Sequence, residues 1–137
     1  MRGRRIALSP PRRLLTDLSH LSRGFPRATL LTRINVESIM AENAATAAHV
    51  LRSEPLPDLV ILDMMLPDVS GVEFLRQMRT KTIYDDLPVL ILSALIDPER
   101  IRVALEAGAD RYLTKPYIAN NLLTVVQDIL RTGRRRD

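Results

Sequence analysis

Asp58-Leu59-Val60-Ile61-Leu62-Asp63-Met64-Met65-Leu66-Pro67-Asp68-Val69-Ser70-Gly71 is the stretch around which the chain is organised. Leu59, Val60, Ile61 and Leu62 form an unbroken apolar run, too short for a helix and rich in branched residues. Such a run predicts a strand buried on both faces. It stops at a carboxylate, Asp63. Pro67 and Gly71 then punctuate a loop, and Ser70 with Glu73 forms a capping box that predicts a helix start. A strand, an acid at its carboxyl end, a loop and a helix make half of a βαβ unit. In open α/β sheets that strand end is where ligands and chemistry sit.

Two further apolar runs lie downstream. Val89-Leu90-Ile91-Leu92 ends at Ser93, with small Ala94 behind it. Tyr112-Leu113-Thr114 ends at Lys115, and Pro116 follows. Upstream, Arg13-Leu14-Leu15-Thr16-Asp17 predicts a first strand with Asp17 at its carboxyl end. Ile6-Ala7-Leu8 competes for that place but ends farther from Asp63. Residues 36–40 predict the second strand.

Helices are expected between these strands. Residues 19–34 should hold the first, although Gly24 and Pro26 interrupt it, so it restarts near Arg27. Asn43 caps an alanine-rich helix over residues 44–52. Residues 72–79 form a third, with Phe74, Leu75 and Met78 on its inner side. Asp97-Pro98-Glu99 starts a fourth, which Gly108 ends. The last begins after Pro116, carries Ile118, Leu122, Val126, Ile129 and Leu130 on one stripe, and stops at Gly133. Five strands alternating with five helices predict an α/β doubly wound parallel sheet. Asp85 and Asp86 fall in a loop before the fourth strand and read as a solvated pair. His20 and His49 have no partners at helical spacing and read as surface residues.

The 137 residues suffice for one domain with a sizeable core. Hydrophobic residues make up 46%, and cysteine is absent, which excludes disulfides and thiolate metal sites. No apolar run approaches the roughly 20 residues of a membrane span, and Ile6-Ala7-Leu8 is too short for a signal peptide. The net charge of +4 divides unevenly: +5 in residues 1–13, +3 in residues 131–137 and −4 between them. Residues 1–12 therefore read as a basic, disordered tail and residues 132–137 as a second basic tail, flanking a domain over 13–131. Neither tail has an aromatic residue to support contact with nucleic acid, so nucleic acid is not expected as a partner.

Asp63, Pro67 and Gly71 four and eight residues after it, Ser93 and Lys115 together resemble the response-regulator receiver domains of two-component signalling. The resemblance spans roughly residues 13–131 and is specific because distant residues agree with one another in their spacing. It also disfavours Ile6-Ala7-Leu8 as the first strand, since the separation from Leu8 to Asp63 is too long for this family. It implies a flavodoxin-like receiver fold, with strand order 2-1-3-4-5. By resemblance, Asp63 is the phosphoacceptor, assisted by Lys115 and Ser93, while Ser93 and Tyr112 form the switch. Mg²⁺ is the implied cofactor, held by Asp17, Asp63 and the backbone carbonyl of Met65. A carboxylate is a competent nucleophile toward phosphorus, and the transferring group needs cations to balance its charge.

The implied function is a phosphorylation-controlled receiver, not an enzyme beyond autophosphorylation from small donors and autodephosphorylation. A sensor histidine kinase or phosphotransfer protein would supply the phosphoryl group. A downstream protein target would meet the face of the fourth helix, fifth strand and fifth helix. With no output domain after the last helix, the chain is expected to act through its own surface, in the cytoplasm, as a monomer or weak dimer. The family usually carries two adjacent acids after the first strand, whereas this chain has Thr16-Asp17-Leu18. That departure supports an alternative, a receiver-fold interaction module with weak or lost phosphorylation, and implies weak Mg²⁺ binding. A haloacid-dehalogenase-like phosphatase would need an acid two residues after the nucleophile, where Met65 stands, and is set aside.

Overall fold

A computed structural model describes residues 12–17, 36–53, 55–64, 68–94, 97–114 and 119–134. Five strands form one parallel sheet: β1 (Arg12–Asp17), β2 (Val36–Ala41), β3 (Leu59–Asp63), β4 (Val89–Ser93) and β5 (Arg111–Thr114). Their order is β2-β1-β3-β4-β5, as the resemblance implied. The described helices are α1 (Ala44–Arg52), α2 (Gly71–Arg79), α3 (Pro98–Glu106) and α4 (Ala119–Thr132). The expected helix within 19–34 lies outside the described residues, as do Ile6-Ala7-Leu8, Leu18 and His20. α3 and α4 are thus the fourth and fifth helices counted from sequence.

All five residues of β3 and of β4 are buried. Strand alternation divides them between two cores. Val60 and Leu62 join Ile91, with Ala47 and Leu51 of α1 and Phe74, Leu75 and Met78 of α2. Leu59, Ile61, Leu90 and Leu92 face Leu122, Val126 and Ile129 of α4. Central strands covered on both faces need continuous apolar sequence, which explains why the two runs show no polar alternation.

The local stops and starts follow from near neighbours. Asn43 accepts a hydrogen bond from the Thr46 amide at 2.8 Å, and Ser70 accepts one from the Glu73 amide at 3.1 Å. Asp97 caps α3 by accepting from the Glu99 amide, with Pro98 in the first turn. Gly108 and Gly133 take positive φ values, 119° and 69°, and so end α3 and α4 in a conformation other residues rarely adopt.

The amino ends of β4 and β5 are fastened by a cluster that sequence reading missed. Asp110, 9% exposed at its side chain, pairs with Arg79 at 3.3 Å and Arg134 at 2.9 Å. Its carboxylate also accepts from the Val89 amide at 2.9 Å. Arg79 donates further to the carbonyls of Tyr84, Leu87 and Gly108, and so gathers the connection between α2 and β4 around itself. That connection includes an unexpected 3₁₀ turn over Thr82–Tyr84. Arg134, assigned from sequence to a solvated basic tail, instead folds back and is 15% exposed at its side chain. Asp85, read as solvated, accepts from Arg134 through its carbonyl at 2.9 Å. His49 is exposed on α1, as expected. Among the described residues no helix is long and apolar enough to cross a membrane.

Candidate functional site

Thr16, Asp63 and Ser93 are the polar side chains found buried among the described residues, each 1% exposed. All three stand at or beside the carboxyl ends of neighbouring strands β1, β3 and β4. Burying a carboxylate and two hydroxyls at one edge of an apolar sheet costs free energy unless each group finds a partner, as the Thr16 hydroxyl does in Met40. Their concentration there makes this edge the candidate site.

Strand register fixes how the residues are staggered. Asp17 pairs with Leu62, one position before Asp63. Asp63 pairs with Leu92, one position before Ser93, and Ser93 pairs with Thr114, one before Lys115. Each chemical residue therefore lies one step beyond the partner of the preceding one. By alternation Asp63 continues the row of Leu59 and Ile61, while Ser93 continues the row of Val89 and Ile91. The two rows lie on opposite faces of the sheet.

Asp17 closes β1, which settles the register of that strand at its carboxyl end. Met65 and Lys115 lie outside the described residues. Tyr112 lies inside β5 opposite Ile91, half-buried against the core that includes α1 and α2. It shares the Ile91–Ser93 face of the sheet, so a change at Ser93 is two residues from the ring along that face.

Gly71 explains why the acid and the following helix lie so close. A Cβ at this position would sit 2.3 Å from the Asp63 carbonyl oxygen and 2.9 Å from Met64 Cα. The Gly71 amide also donates to the Met64 carbonyl at 2.8 Å, closing the loop between β3 and α2 on itself. Glycine is required here for close approach.

Two features of the surroundings carried no signal in the sequence. Thr16 donates its hydroxyl to Met40 Sδ at 2.7 Å, tying β1 to β2 beside the site. Asp68, in the loop after Asp63, reaches α1: its two oxygens accept from the Ala44 amide at 3.0 Å and the Ala45 amide at 3.1 Å. Those bonds, the Ala44 one foremost, hold the Asp68 carboxyl below the ordinary carboxylate range. Asp68 and Val69 also border a groove of about 350 Å³ between α1 and α2, which does not reach Asp63.

A parallel sheet in the order 2-1-3-4-5 with a buried acid at the end of its central strand is a flavodoxin-like arrangement, the fold of receiver domains. The response regulator receiver domain family matches residues 24–127, and the chain belongs to that family. It is 36% identical over 103 residues to the phosphate regulon transcriptional regulatory protein PhoB of Escherichia coli, covering 74% of this chain and 44% of that protein. The transcriptional regulatory protein AfsQ1 of Streptomyces coelicolor is 37% identical over 105 residues, 77% of this chain and 45% of that one. The chain thus spans less than half the length of these curated relatives. Among solved structures, the receiver domain of the Francisella response regulator 1452 matches with a TM-score of 0.75 and 27% identity, over 88% of this chain and 97% of that one.

Proposed function

We propose that Asp63 accepts a phosphoryl group and that the resulting aspartyl phosphate changes the surface of the domain. The carrying observation is the buried pair Asp63 and Ser93 at the ends of adjacent strands in a receiver-family sheet. A carboxylate oxygen of Asp63 attacks phosphorus. A new O–P bond forms while the bond from phosphorus to the donor breaks, a P–N bond for a phosphohistidine or a P–O bond for acetyl phosphate. The electron pair leaves with the donor, which takes up a proton as imidazole or remains as acetate. Lys115 balances charge on the transferring group, and Ser93 donates to a phosphate oxygen once the group has arrived.

Mg²⁺ suits this edge because its donors are hard oxygens: the Asp63 and Asp17 carboxylates and the Met65 carbonyl would hold it. When bound, it neutralises developing charge on the phosphoryl oxygens. Only one acid stands at the carboxyl end of β1, and the Leu18 side chain offers no oxygen, so the affinity is weaker than at a site with a full acidic pair. A histidine kinase or phosphotransfer protein is the donor, and the face of α3, β5 and α4 meets the downstream protein. The domain takes in residues 12–134, because β1 begins at Arg12 and Arg134 folds back onto Asp110, and it works in the cytoplasm.

The test is intact-protein mass spectrometry after incubation with acetyl phosphate and Mg²⁺. Wild type should gain one phosphoryl group and Asp63→Asn none. An equal gain in the variant would remove Asp63 from the mechanism.

A further inference from the structure

α1 is capped twice, from two directions. Its own Asn43 takes the Thr46 amide at 2.8 Å, and the Ala47 amide bonds the Asn43 carbonyl at 3.0 Å as the first intrahelical bond. The remaining first-turn amides, Ala44 and Ala45, are taken by Asp68. With both, every amide of the first turn has an acceptor. α1 has no acid in its own first turn. The negative charge that favours a helix amino end therefore comes from a residue 24 positions away, in the loop that leaves Asp63.

That loop is fixed at its ends by the Gly71–Met64 bond and by the Ser70 cap of α2. Both fixings belong to the β3–α2 unit itself. The Asp68 bonds are of another kind, because they join the loop to a separate element. Two charge-assisted bonds to adjacent amides set both the position and the orientation of the carboxylate.

We infer that Asp68 is a positioning residue for phosphoryl transfer, holding the main chain beyond Asp63 in place by docking it on the amino end of α1. The inference rests on the reading of Asp63 as the acceptor. It also makes the coupling reciprocal: strain in the loop on phosphorylation is felt at the first turn of α1, and loosening α1 loosens the site.

A plain helix cap would produce the same bonds, so the experiment must separate the two roles. Asp68→Ala should raise hydrogen exchange at the Ala44 and Ala45 amides and lower the initial rate of phosphorylation by acetyl phosphate about tenfold or more, as small misplacements near reacting atoms do. Asp68→Asn should fall between, since its amide offers one acceptor and presents a donor to the second N–H. The deciding variant adds Ala45→Glu to Asp68→Ala. Ala45 is exposed, and a glutamate there gives α1 an acid of its own without tying the loop. Restored stability with the rate still depressed supports positioning, while recovery of both reduces Asp68 to a cap and overturns the inference. An unchanged rate in Asp68→Ala also overturns it. Should wild type itself take up no phosphoryl group, the Asp63 reading and this one fall together. Failure of the tie alone leaves wild-type uptake intact.

Discussion

Asp63 and Gly71 show how much one residue can carry at this site. The glycine has no unusual φ, so its requirement is steric rather than conformational. Gly71→Ala must push backbone against backbone, because the neighbour at 2.3 Å is the Asp63 carbonyl and not a side-chain tip. Overpacking of this kind costs about 1–3 kcal/mol, and the displaced carbonyl belongs to Asp63, the proposed acceptor. Urea denaturation should show that loss, and acetyl-phosphate labelling should slow with it. Gly133 is the control. Its φ of 69° is left-handed, but nothing lies within 4 Å of a Cβ there. Gly133→Ala should cost about 1–2 kcal/mol from the backbone alone and leave labelling unchanged. Equal labelling in the two variants would show that close approach to Asp63 does not matter for transfer.

At the scale of elements, ion pairs differ according to burial. The Arg79–Asp110–Arg134 cluster closes the sheet edge opposite the site, with side chains 9 to 15% exposed. Asp110→Ala leaves two guanidinium groups and the Val89 amide without this acceptor, and losing one partner of a buried pair costs about 3 kcal/mol or more. Arg102, bonded to Glu99 and Glu106 on the open face of α3, should do far less when replaced by alanine. Denaturant midpoints of Asp110→Ala and Arg102→Ala will tell them apart. Asp128 on α4 is a third case. The Arg111 guanidinium beside it, helped by Arg131, holds its carboxyl below the ordinary carboxylate range. A depressed folded value means that its stabilisation is complete above the ordinary carboxylate pKa. It is lost as pH falls below about 4 and through the folded value. Asp128→Asn should flatten that acid limb. Because the side chain is only a quarter exposed, high salt should flatten it in part in wild type.

For the whole molecule the question is how a charge at one sheet edge reaches a surface. Converting the Asp63 carboxylate to an aspartyl phosphate would change the charge at this buried position by about −1 and add phosphate oxygens that accept hydrogen bonds, and Ser93 lies one strand away. Tyr112 on β5 faces the same side as Ser93, and α3 packs against β5. On the proposed switch, a pull on Ser93 would alter the space beside the ring and the seat of α3. Amide shifts over residues 97–107 should follow phosphorylation, and they should shrink in Tyr112→Ala. Shifts confined to the surroundings of Asp63 in wild type would break this chain of contacts. Taking a population from 1:99 to 99:1 needs about 5.5 kcal/mol, so partial shifts in fast exchange are an acceptable positive result.

Much of this architecture is legible in the sequence because it depends on neighbours or on simple periods. Continuous apolar runs gave β3 and β4, the Asn43, Ser70 and Asp97 caps gave three helix starts, and Gly108 and Gly133 gave two stops. The end of each apolar run also located Asp63 and Ser93, since a buried parallel strand ends where its apolar sequence does and ligands in open α/β sheets sit at that end. The sheet order added what no local pattern contains. It sets Asp17, Asp63 and Ser93 in staggered register on neighbouring strands. Asp68 docking on Ala44 and Ala45, Arg79 and Arg134 converging on Asp110, and Thr16 meeting Met40 were likewise decided only in three dimensions. These partners are far apart in the chain and sit on no shared period. An isolated Asp or Arg has the same propensities whether or not a partner waits for it. Its role is set by which backbone amides or carbonyls the packed elements bring within hydrogen-bonding reach, and that is a property of the assembled sheet.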